Sequence, residues 1–235
     1  MSLARWEERL APLDGIAAVG FWVAGVLVLQ GPANQPDTDA SPARALEFFT
    51  TEENAILVGT FLYMIGTLFF LWFLGLVRTR LVEAEGGSHR LSSIAFAGGV
   101  AAAISLLAQP AVHATGAINS ENLSPDAAQV YLGINVAFFY AAEFATAVFL
   151  LALGLVSLRG QPFPRWFGTV SIVFAVWLVI PPVGWAVLLW GFPLWLVVVS
   201  VLLWTRSRRS YAGPVESEPS GSKRASGQAP HRPLP

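Results

Sequence analysis

The run from Ala55 to Val77, AILVGTFLYMIGTLFFLWFLGLV, carries no formal charge over twenty-three residues. As a helix rising ~1.5 Å per residue it reaches ~35 Å, enough to cross the ~30 Å hydrocarbon core of a bilayer. Lipid offers no hydrogen bonds to the backbone, so a spanning segment must pair its own amides, as a helix does, or close into a barrel. This run has no two-residue alternation and selects the helix. A chain built around it is a membrane protein before any other feature is considered.

Five further apolar runs can be read the same way, giving an all-α polytopic bundle of six transmembrane helices. The spans lie at about 14–31, 54–77, 91–112, 127–158, 166–181 and 184–204. They form one domain over 13–204, between a cytoplasmic segment 1–12 and a basic tail 205–235. The tail has almost nothing apolar and is expected to be disordered. No A-x-A-like site follows the first run, so it is expected to be a retained helix and not a cleaved signal. Ser41-Pro42 and Ser124-Pro125 read as helix starts, a capping hydroxyl followed by proline at the first helical position. Thr51 reads as the cap of the second span, and LEFF (46–49) as an interfacial stretch. The third span closes with Gln109, Pro110 and His113, Pro181-Pro182 divides the last apolar run, and Pro193 is expected to kink its second half.

Composition agrees: only 12% of residues are charged, mean hydropathy is +0.58 and cysteine is absent. Soluble domains carry about 25% charged residues. Without cysteine there is no disulfide, thiolate metal site or thiol catalysis. The basic residues orient the spans. With six helices, Arg5 and Arg9, the connectors at 78–92 and 157–165, and the tail share one face, which then holds thirteen of the fourteen Lys and Arg residues. The positive-inside rule makes that face, and both termini, cytoplasmic. Arginine in place of lysine and abundant Ala and Gly point to a GC-rich bacterial genome, hence a bacterial plasma (inner) membrane.

The stretches FLWFLGLVRTRLVEAEGG (70–87), IAFAGGVAAA (94–103) and FPRWFGTV (163–170) occur in this order among six spans. In them the chain resembles a group of actinobacterial six-helix membrane proteins of unknown function. The resemblance covers about 13–204, implies the same topology and transfers no site.

One formally charged residue stands inside a membrane-length apolar run: Glu143, in NVAFFYAAEFAT (135–146). An ionised carboxylate at the bilayer centre costs at least ~2.5 kcal/mol, so Glu143 must be partnered or protonated. At ~100° per residue Tyr131, Asn135, Thr146 and Glu143 occupy one sector of the helix, a polar stripe facing the bundle. Glu143 lies ~18 Å from Tyr131 and ~24 Å from Arg159 along the axis, near mid-membrane. Its possible partners are Tyr63, Ser105, Gln109 and His113. Gln109 and His113, one turn apart, form a second polar patch near the outer end of the third span. Ala95, Gly99 and Ala103, with Gly98 and Ala102 beside them, make a small-residue row suited to close helix packing.

The signatures of intramembrane enzymes are missing: no HExxH, no Gly-x-Ser-x-Gly and no paired intramembrane aspartates. No catalytic residue, metal ligand set or cofactor is expected, and no nucleic-acid partner. The expected partners are the lipid bilayer and either a second copy or another membrane protein. Two functions remain. The first is a structural, accessory or small-ligand-sensing bundle. The alternative is a proton- or ion-coupled small-molecule carrier in which Glu143 titrates.

Overall fold

A computed structural model describes residues 10–31, 35–37 and 39–211, with side chains as far as Thr205. Every regular element among them is a helix: α1 (Leu13–Gln30), α2 (Pro42–Thr51), α3 (Glu53–Glu85), α4 (Arg90–Ile118), α5 (Pro125–Gly160), α6 (Arg165–Leu178), α7 (Pro181–Ala186) and α8 (Phe192–Tyr211). A 3-10 turn (Ser120–Asn122) precedes α5, and a π turn (Val187–Gly191) joins α7 to α8. The expectations for residues 1–9 and 212–235 lie outside the described residues.

Five helices are long and apolar enough to cross a membrane, counting Pro181–Thr205 as one; α6, at fourteen residues, is shorter. Their outward faces carry Phe61, Trp72, Ile104, Phe144 and Leu194, all exposed. In water so much apolar surface would be a liability; against lipid it is the required exterior. The chain is a membrane protein.

Several boundaries move from their sequence-read positions. Helix α3 runs on to Glu85, because Arg78–Glu85 (RTRLVEAE) are good helix formers although polar. Pro110 lies inside α4, which continues two turns further. There His113 meets Phe48 and Phe49 edge-on, and a side chain on Gly116 would strike the Phe49 ring at 2.6 Å. That packing outweighs the lost amide. Thr51 ends α2 and does not cap α3; its hydroxyl donates back to the Glu47 carbonyl at 2.7 Å. LEFF belongs to α2, which buries Phe48 and Phe49 in a small cluster with Leu29, Ile56 and Leu132 at one end of the bundle. Helix α8 passes Trp204 and continues to Tyr211. The capping hydroxyls act as read: Ser41 accepts from the Arg44 amide (3.3 Å) and Ser124 from the Ala127 amide (3.2 Å).

Backbones touch where side chains are missing. A Cβ on Gly98 would stand 2.8 Å from the Phe149 nitrogen of α5, while one on neighbouring Gly99 would meet Leu74 of α3 at 2.6 Å. The single row seen in the sequence is thus two rows facing two helices. Ala95, Ala102 and Ala103 are buried beside them. Gly25 and Gly59 join α1 to α3 in the same way, and Gly154 and Gly168 join α5 to α6. Two tryptophans also donate hydrogen bonds between helices, from Trp22 Nε1 to Thr67 Oγ1 (3.0 Å) and from Trp195 Nε1 to Ser171 Oγ (2.9 Å).

The α3–α4 hairpin turns through positive φ at Gly86, Gly87 and His89. His89 stands at the cap position of α4 but its side chain makes no capping bond. Glu85 supplies the cap from the preceding helix, accepting from the amides of Leu91 (2.8 Å) and Ser92 (2.7 Å) and from the Ser92 hydroxyl. Glu85 lies beyond the apolar stretch that ends at Val77. Partial loss of hydration pushes its carboxyl up, but the bonds to Ser92 and Leu91 and the nearby His89 outweigh this and hold it below the usual carboxylate range. Arg78, over the Phe96 ring at 5.4 Å, ties the same two helices.

Gly98→Ala should lower the unfolding temperature in detergent, at a cost on the order of 1–3 kcal/mol, because the Phe149 backbone must move. Gly75→Ala, with nothing within 4 Å, should leave it unchanged or raise it, since Ala is the better helix former. Equal losses from both would show that close approach is not what Gly98 provides.

Glu85→Ala should cost roughly 1 kcal/mol at neutral pH, the usual worth of a cap. A depressed carboxyl stabilises the fold above its unfolded pKa and loses that effect as pH falls through its folded one. The gap between wild type and Glu85→Ala should therefore close in acid, below about pH 4. A gap independent of pH would contradict a charged cap.

Candidate functional site

Helix α5 turns the polar stripe read from its sequence into the bundle. Asn135, Glu143 and Thr146 are buried there, while Tyr131 is half-buried with its ring 6.2 Å from that of Phe49. The helix starts at a capped proline and is pressed against α4 through Gly98, and this fixes its rotation. The stripe divides into two places some 12 Å apart along the axis, at ~1.5 Å per residue.

The first is a crevice of about 350 Å³ at the α2 end of the bundle. Gln30, Gln35, Gln109, His113 and Asn135 supply its polar lining, and Tyr63, Tyr140 and Trp185 its aromatic walls. Asn135 Nδ2 donates to the Gln109 carbonyl at 2.9 Å, and Gln109 Nε2 reaches Asn135 Oδ1 at 3.5 Å, a weak bond. The His113 ring, held by Phe48 and Phe49, has its Nε2 buried without a hydrogen-bond partner. A second, apolar cavity of about 110 Å³ shares Val26, Tyr63, Phe139 and Leu189 with the crevice and continues to Trp22, Trp190 and Phe192. Side by side they offer a polar end of amides and imidazole and a greasy one.

The second place is Glu143, only 2% exposed. None of the four residues expected to partner it does so. Gln109 is engaged with Asn135, the Ser105 hydroxyl donates back to the Ala101 carbonyl at 3.0 Å, and Tyr63 and His113 belong to the crevice. What faces Glu143 is the break between α6 and α7. A Cβ on Gly184 would stand 3.0 Å from Glu143 Oε1 and 2.6 Å from the Leu178 carbonyl oxygen. Glu143 Oε1 is buried with no hydrogen-bond partner, and so is Thr146 Oγ1 one turn along.

Gly184 and the Leu178 carbonyl were not singled out from the sequence. Their signal is the string PPVG (181–184), which shows a helix break and a close-approach residue together but not which helix they meet. Compared with family models, with curated proteins and with solved structures, the chain matches none of them.

Proposed function

We propose that this chain is a ligand-sensing or accessory bundle of a bacterial plasma membrane, kin to the actinobacterial six-helix group it resembles, and that it holds a small amphiphilic molecule in the crevice. The observation that carries this reading is the crevice itself. Its volume, about 350 Å³, falls in the range of small-molecule sites, ~300–1,000 Å³, and its wall is apolar with a few convergent polar groups. Polar side chains at bilayer depth are expensive unless they serve packing or a ligand. Here the Gln109–Asn135 pair and the unpartnered His113 are grouped around open space.

A second reading, a proton- or ion-coupled carrier, draws on Glu143 beside a broken helix, an arrangement that suits coupling ions in transporters. In sealed vesicles a carrier moves the bound molecule across the bilayer, whereas a sensor retains it.

The purified wild type should retain a small molecule detectable by mass spectrometry, or gain several degrees of thermal stability from one member of an amphiphile panel. Val136→Trp, which fills the crevice from its α5 wall, should abolish both. Retention unaffected by Val136→Trp would place the ligand elsewhere, and no stabilisation by any member together with an empty wild type would remove the ligand reading.

The same proposal puts α6 across the membrane as a short sixth span, with both termini cytoplasmic. In this cysteine-free chain, Glu121→Cys should label from outside intact cells and Ser88→Cys only after permeabilisation. Ser120 is buried and would be a poor reporter. Labelling of position 88 in intact cells would overturn the orientation.

A further inference from the structure

We infer that Glu143 is a proton-binding site: its carboxyl carries a proton and donates it to the carbonyl oxygen of Leu178, latching α5 to the break between α6 and α7. The inference depends on neither reading of the crevice. Both oxygens lie within 3.0 Å of the point where a Gly184 Cβ would stand, so they converge on one gap that glycine keeps open. Neither has another donor to accept from. In a continuous helix the Leu178 carbonyl would accept from the amide three or four residues on, but those residues are Pro181 and Pro182, which have none. The next two amides, of Val183 and Gly184, both donate to the Ile180 carbonyl at 2.9 Å. The start of α7 therefore has no amide to offer a carboxylate.

Two facing acceptors in a low-dielectric interior repel, and each unsatisfied one costs about 1–3 kcal/mol. One proton on Glu143 removes the charge and turns one acceptor into a donor. The remaining titratable groups on the neighbouring spans are Tyr63 on α3, His113 on α4 and Tyr131 and Tyr140 on α5. The charged residues of these helices stand at their ends: Asp14 on α1, Glu53 and Arg78–Glu85 on α3, Arg90 on α4, Asp126 and Arg159 on α5, and Arg165 on α6. Arg159 and Arg165 are ~24 Å and ~20 Å away along their helices from Glu143 and Leu178, too far to act as counter-ions. Release of the proton to water leaves a bare carboxylate and breaks the bond that closes the gap. Pro181 and Trp185 of the same break line the crevice, so that release bears on the crevice wall.

The test is infrared difference spectroscopy of wild type against Glu143→Gln, both in sodium-free choline chloride buffer. At neutral pH the difference should show the C=O stretch of a protonated carboxylic acid. Added sodium chloride should leave it in place. Pro182→Ala, which returns an amide to the Leu178 carbonyl, should shift that stretch towards a weaker hydrogen bond. The unfolding temperature of the wild type should fall as pH rises through the loss of the band, while that of Glu143→Gln, whose amide still donates, stays flat. A carboxylate band at neutral pH would overturn the inference, and so would loss of the acid band on adding sodium, which would mark a metal-cation site. An unshifted band in Pro182→Ala would remove Leu178 as the acceptor. If Pro182→Ala does not fold, the Glu143→Gln difference and its pH profile decide alone.

Discussion

Inside a bilayer, helices gain nothing by burying apolar side chains from lipid, so their association rests on how closely their surfaces fit. In this bundle the fit is made by backbone reaching backbone at Gly25 and Gly59, at Gly98, and at Gly154 and Gly168. Everything else is placed by those contacts. Helix α5 is held on one side by Gly98 of α4 and on the other by Gly168 of α6, and its rotation about its own axis is therefore fixed. That rotation puts Asn135 in the crevice and Glu143 against the break. A side chain at Gly98 would push α5 outward and part both sites at once.

Much of this was legible in the chain because it follows from local rules. The apolar runs, the Ser41 and Ser124 caps, and the inward turn of Asn135, Glu143 and Thr146 need only helix geometry and the preferences of first-turn residues. What was not legible depends on contacts between distant segments. Pro110 looks like a terminator in isolation, and only the seat that Phe48 and Phe49 provide for His113 shows why α4 continues. The partner of Glu143 could not be read because it is a backbone carbonyl, which leaves no mark in a sequence. It is exposed by the prolines three and four residues on and approached at Gly184, some forty residues from Glu143. The Gly98–Gly99 row was visible as small residues, but its division between α5 and α3 was not.

The two cavities form a gradient and not a uniform hole. Tyr63 stands in both, with the amides and imidazole on one side of it and Trp22, Trp190 and Phe192 on the other. A molecule that satisfies both ends must itself be two-ended. Size alone would not select it, since a fully apolar guest would strand Gln109, Asn135 and His113, and a fully polar one would wet the tryptophans. Selectivity in such a site comes from the penalty for mismatch at either end.

The π turn at Val187–Gly191 sets the register of the last helix. There the amide of Phe192 donates to the Val187 carbonyl five residues back, one residue more than an α-turn encloses. It thereby delivers Phe192, and not Gly191, to the core face, where its ring meets those of Trp22, Phe70, Phe149 and Trp195. From Phe192 onward the buried positions Trp195, Leu196, Val199, Ser200 and Leu203 keep a regular helical spacing. The turn is thus an insertion of one residue that the fold has absorbed as phase. Removing any single residue between 187 and 191 would restore an uninterrupted α-helix and a conventional hydrogen-bond ladder. It would leave everything beyond at nearly the same angle, because the wide turn already takes up the ~100° that the extra residue would add, and α8 would keep its core face. In this segment the count of residues is free by one while the face that follows is not, and a related chain one residue shorter here should present the same core positions on an unbroken α-helix.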